Sequence, residues 1–172
     1  MKLFNDHPKI EVTPTATDKK LIKIGWLVVA LNAGVVLLFY FDLPKTIPTH
    51  FNWEGQVDGY GHKLSLWIIP FISALMYMGL GFMITKMKPY QMNYPVKVTE
   101  KNAPKLYATA LRMVTVMNLC FVIAFFITTT VILLKVKNLV DAVDVQLLIG
   151  LWILNGLVPF YFIYKMFTLS DR

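Results

Sequence analysis

Four stretches of this chain contain no Asp, Glu, Lys, Arg or His: Ile24–Phe41 (18 residues), Leu64–Thr85 (22), Met113–Leu134 (22) and Val145–Tyr164 (20). A helix rises ~1.5 Å per residue and needs ~20 apolar residues, with a range of about 17–25, to cross the hydrocarbon of a bilayer. All four runs qualify. A water-soluble fold of 172 residues has too small an interior to bury them together. The sequence therefore predicts an all-α, polytopic membrane protein, a bundle of four transmembrane helices with spans at about 22–41, 64–85, 111–134 and 145–166. A polar tail, residues 1–20, precedes the membrane domain at 21–172.

Charge sets the expected orientation. With the N-terminus in the cytoplasm, 13 of the 17 Lys and Arg residues fall on that side, and only Lys45, Lys63, Lys135 and Lys137 on the other. Cytoplasmic loops are enriched in Lys and Arg, so both termini are expected inside. The net charge of +7 follows this sidedness and argues against nucleic acid as a partner. The first run follows about twenty polar residues and ends in LLFYFDLPK without a small-residue cleavage pattern, so an uncleaved span is expected. The single cysteine, Cys120, lies inside the third run and has no internal partner for a disulfide. Trp26, Trp67, Tyr161 and Tyr164 stand near span ends, where rings with one polar edge suit the interface.

Outside the spans, the tail is expected to be loose, with Thr17 capping the first helix. The connection Lys86–Arg112 reads as an extended piece and a helix capped at Thr99 or Asn102. That helix is expected to lie along the interface, with Arg112 reaching to head groups. Asp141 and Asp144 are expected on the same side as the loop between spans one and two. Ionisable side chains are absent from the span interiors, which disfavours a proton-coupled transporter. Asn32, Asn118 and Asn155 are expected to hydrogen-bond between helices.

The loop between spans one and two, PTHFNWEGQVDGYGHK (Pro48–Lys63), concentrates the polar chemistry. Gly55 and Gly59 are suited to tight backbone geometry, and Asn52 and Asp58 to bonds with nearby amides. The expected role is recognition of a ligand such as a peptide or envelope component. Pro48, His50, Asn52, Gly55, Asp58, Gly59 and Lys63 carry the loop, and Trp53 and Tyr60 add apolar surface. No catalytic residue and no cofactor is assigned. Two other readings stand beside this one. In the first, a metal-dependent membrane enzyme uses His50, Asp58 and His62 as ligands and Glu54 as base, although their spacing matches no compact motif. In the second, the chain is an accessory subunit of a transporter.

The same loop, Pro48-x-His50-x-Asn52-x-x-Gly55-x-x-Asp58-Gly59 ending at Lys63, resembles the signature of the domain of unknown function DUF1648, over about residues 22–135. Pro95, Thr99, Glu100, Asn102 and Tyr107 resemble that family's second recurring stretch. The domain also forms the N-terminal half of SdpI-type immunity proteins, which continue with further spans. The resemblance thus implies a non-enzymatic protein of a bacterial cytoplasmic membrane, acting in toxin immunity or signalling. Its partners would be the lipid bilayer, an extracellular peptide or envelope ligand, and a cytoplasmic regulator or membrane partner.

Overall fold

The structure, a computed structural model, describes residues 7–140 and 143–170, with the backbone alone at residue 170. Asp141 lies outside these residues. Four long helices dominate: α1 (Ala16–Tyr40), α2 (Ile68–Lys86), α3 (Ala103–Val136) and α4 (Val145–Ser170). All four apolar runs form helices long and apolar enough to cross a membrane; for the second, a 3-10 turn at Lys63–Trp67 extends α2. The chain reverses direction at each connection, so both ends of the described chain lie at one end of the bundle. The opposite end carries an element that a purely helical reading lacks: an antiparallel hairpin of β1 (Thr46–Phe51) and β2 (Val57–His62).

Helix α3 is the hub, packed against α1, α2 and α4, while α1 also meets α2. The buried faces repeat at helical spacing: Gly25, Asn32 and Val36 on α1, Ser73 and Tyr77 on α2, and Asn118, Val122, Thr129 and Leu133 on α3. Leu27, Leu38, Phe71, Phe82, Leu154 and Phe160 point outward and are exposed. Apolar residues turned away from the bundle are what a lipid solvent permits. Asn118 Nδ2 donates to the Tyr77 carbonyl at 3.1 Å across the α2–α3 contact, as expected. Asn155 instead turns back onto its own helix, donating to Leu151 O at 3.0 Å. Asn32 has no hydrogen-bond partner for either amide atom among the described residues.

The terminal end differs most from expectation. The helix begins at Ala16, capped by Thr15 in a reciprocal box with Asp18, rather than by Thr17. The tail before it is packed. Residues 8, 10, 12 and 14 turn toward the protein in alternation, and Ile10 and Val12 lie against a core of Ala103, Leu106, Tyr107, Ala110 and Met166. Tyr107, fully buried, donates its hydroxyl to Pro8 O at 2.8 Å, and His7 Nδ1 bonds Tyr90 O at 3.2 Å. Lys88 reaches Glu11 at 2.7 Å; its hydrogen bond and charge hold Glu11 below the usual carboxylate range, and Glu11 holds Lys88 above its own. Burial, with Tyr107 alongside, pushes the Tyr94 hydroxyl far above the ordinary tyrosine value.

Residues 103–112 do not form a separate interfacial helix; they are the first turns of α3. That helix has 34 residues, about 51 Å at 1.5 Å per residue, against ~30 Å of hydrocarbon. Its excess length projects at the terminal end. Thr99 and Asn102 exchange bonds just ahead of it, Thr99 N donating to Asn102 Oδ1 at 2.8 Å and Asn102 N to Thr99 Oγ1 at 3.3 Å. Arg112 pairs with Asp18 through Nε and donates from Nη2 to Thr15 at 2.9 Å, so it ties α3 to α1 rather than reaching for head groups.

Candidate functional site

The hairpin is built from the membrane upward. Ile47 on β1 is 1% exposed and packs with Val36, Leu43, Leu66, Leu133 and Val136, a core that joins the ends of α1 and α3 to the start of α2. Lys63 closes the base. Its Nζ donates to the carbonyls of Tyr40 and Leu43, each at 3.0 Å, and lies 4.6 Å from the centre of the Tyr40 ring. A cation on the unpaired carbonyls at a helix C-terminus is favourable, so this lysine fixes the exit of α1. His62 accepts the Leu64 amide on Nδ1 at 3.2 Å and caps the turn into α2.

The tip is equally determined. Asn52 Oδ1 accepts the amides of Glu54 at 3.0 Å and Gln56 at 2.9 Å, and Asn52 N donates to Gln56 O at 2.9 Å. Gly55 takes φ +77°, and its carbonyl accepts the Val143 amide at 3.1 Å. A Cβ at Gly55 would stand 1.8 Å from Val143 O, so glycine is required both by its dihedral and by this docking. Gln146 Nε2 adds a bond to Trp53 O at 2.9 Å, which ties the tip to the start of α4. Asp144 caps that helix, its Oδ1 accepting the Leu147 amide at 2.8 Å.

Between base and tip the ladder slips twice. Pro48 pairs with Tyr60, His50 with Gly59, and Phe51 with Val57, which leaves Thr49 and Asp58 without cross-strand partners. Such bulges re-aim side chains. Here they bring Asp58 beside His50, with Nδ1 and Oδ1 2.5 Å apart, the side chains 44% and 73% exposed. Gly59 makes room, since a Cβ there would lie 2.8 Å from His50 Cβ. Trp53 and Tyr60 are also strongly exposed. Beneath β1 a cavity of about 310 Å³ opens, lined by Ile47, Pro48, Thr49, Leu66, Ile69 and Ile132 among others.

The predicted loop residues thus separate by position. His50 and Asp58, with Trp53 and Tyr60, face outward; Asn52, Gly55, Gly59 and Lys63 hold the backbone. The metal set is not assembled. His62 stands four residues from Asp58 on one strand, about 13 Å at ~3.3 Å per residue. Among the described residues no group of three His, Cys, Asp or Glu side chains converges to hold an ion. Ile47, Val143 and Gln146, which anchor the hairpin, were not singled out from sequence. Their signals lie in plain apolar and amide residues outside the polar cluster.

Helices of membrane-crossing length and one ordered hairpin at a bundle end define a multi-pass membrane protein. Residues 27–74, from α1 through the hairpin into α2, match the family model described as Domain of unknown function (DUF1648). An uncharacterized protein of Archaeoglobus fulgidus is similar, 33% identical over 94 residues, covering 54% of this chain and 49% of the relative. The match therefore spans about half the length of that protein. No solved structure matches the chain.

Proposed function

We propose that this chain is a non-enzymatic recognition protein of a cell membrane, of the kind represented by SdpI-type immunity and signalling proteins, whose hairpin meets a peptide or envelope ligand on the extracytoplasmic side. One observation carries the reading: backbone and capping bonds at base and tip hold a hairpin that presents His50, Asp58, Trp53 and Tyr60 to the outside. A preorganised surface with aromatic anchors spends little entropy on binding. The apolar cavity below β1 suits an aliphatic side chain of a peptide. The connection 87–102, packed with the tail against the start of α3, is the surface for a cytoplasmic partner.

Protection assays test the reading. The full chain, expressed in a sensitive bacterial host, is expected to raise survival against at least one member of a panel of envelope-active peptides. The paired change Trp53→Ala and Tyr60→Ala is expected to abolish this while leaving membrane levels intact. Equal survival with and without the chain across the panel overturns the immunity reading. Protection retained by the paired variant overturns the role of the hairpin.

A further inference from the structure

At the terminal end, two cavities adjoin. The first, about 400 Å³, lies between the tail and the end of α2 and is lined by Glu11, Pro14, Lys19, Thr85, Lys88 and Leu111 among others. The second, about 310 Å³, lies deeper between α1 and α2, bounded by Trp26, Tyr77, Met78, Gly81 and Phe82, with Asn118 of α3 also lining it. Ile22 and Thr85 line both. Lys19 and Trp26 are seven residues apart on α1, about 10 Å along the axis at ~1.5 Å per residue. The pair therefore runs from a charged mouth at the bundle end into an apolar chamber within the span.

The chemistry of the two chambers is that of the two parts of a lipid. The mouth is basic. Lys19 Nζ has no hydrogen bond or ion pair among the described residues, Lys88 is met by the exposed Glu11, and Lys20, Lys23 and Lys86 stand at the same end. The inner chamber is walled by Trp26, Met78 and Phe82, all turned outward toward the bilayer. The Tyr77 hydroxyl is committed to the Ile22 carbonyl at 2.6 Å, and Asn118 Nδ2 to the Tyr77 carbonyl, so these groups brace the walls. We propose that the two cavities together hold one anionic amphiphile from the adjacent leaflet, its acidic headgroup at Lys19 and Lys88 and its chain between Trp26 and Phe82. Charge complementarity selects the headgroup, and the chain chamber distinguishes a lipid from a free anion. This site is remote from the hairpin and does not depend on what the hairpin binds.

Trp26 supplies the reporter. The full chain is placed in phosphatidylcholine nanodiscs with a rising fraction of phosphatidylglycerol brominated on its chains, or of equally brominated phosphatidylcholine. Trp26 emission is taken as the difference from the Trp26→Phe variant. Quenching is expected to saturate at a lower fraction of the anionic lipid, with affinity falling about fivefold for each of Lys19→Gln and Lys88→Gln, the worth of ~1 kcal/mol per surface lysine. Gly81→Leu is the second variant. A Cβ at Gly81 meets nothing within 4 Å, so the leucine enters the chamber without a backbone clash and is expected to abolish the preference. Equal quenching by both lipids overturns the proposal, as does an anionic preference unchanged in the lysine variants or in Gly81→Leu. Inorganic phosphate displacing the lipid at millimolar concentration would reassign the mouth to a free anion and overturn it too.

Discussion

Asp18 is 2% exposed, and Arg112 with Thr15 supplies its partners. Arg112 is 34% exposed, so losing it leaves Asp18 on its two Thr15 bonds, at a cost of roughly 1–3 kcal/mol, whereas replacing both partners is milder. Arg112→Gln is therefore expected to destabilise, and Asp18→Asn in the same chain to recover most of the loss, read by unfolding in detergent. Gly55 offers a second contrast. Gly55→Ala forces an L residue to φ +77° and drives a methyl into Val143 O, so a loss of at least ~1–2 kcal/mol is expected. Gly34→Ala lies on α1 with open space at its Cβ and is expected to be neutral or to stabilise by up to ~1 kcal/mol. His50 and Asp58 behave differently again. Their pair is exposed, and such pairs contribute less than about 1 kcal/mol. His50→Ala is expected to leave the melting temperature nearly unchanged, so any loss of protection in that variant reports recognition rather than folding.

The tail and the hairpin are the elements whose roles reach beyond their own residues. Because Ile10 and Val12 cover Tyr107 and its neighbours, deleting residues 1–14 is expected to expose the start of α3. Hydrogen exchange at residues 88–110 should then rise while the hairpin stays protected; unchanged exchange would show that the tail contributes nothing to this core. Both elements also carry structure that a hydropathy pattern alone does not show. The helices were legible because a charge-free run of span length has few other folds open to it. The strands were hidden because Pro48, Gly59 and Gly61 weaken the usual strand signal, although Val57–His62 alternates in burial residue by residue. The tail's sequence suggests a loose segment because its alternating Ile10 and Val12 are diluted among Lys, Glu and Thr. Its partners lie some eighty to a hundred residues away, as the Tyr107–Pro8 bond shows. Likewise, the loop cluster pointed to the hairpin. The division between the His50–Asp58 pair and the capping His62 depends on two bulges that no spacing rule reveals.

For the whole molecule, sidedness decides what the hairpin can meet. Four crossings put the hairpin and the α3–α4 connection at one face and the tail, the α2–α3 connection and the end of α4 at the other. The lysine and arginine imbalance of 13 to 4 favours the terminal face in the cytoplasm, because basic loops are held back during insertion. Both faces carry accessible positions that test this without disturbing packing. Gln56 is exposed at the hairpin tip, and Lys101 is exposed ahead of α3. In a Cys120→Ala background, Gln56→Cys is expected to react with a membrane-impermeant maleimide on intact cells, and Lys101→Cys only after the cells are opened. The reverse pattern would turn the hairpin toward the cytoplasm and remove an external ligand from consideration. Reaction of both in intact cells would mean that the chain inserts in two orientations, and the charge imbalance would then be too weak to set topology on its own.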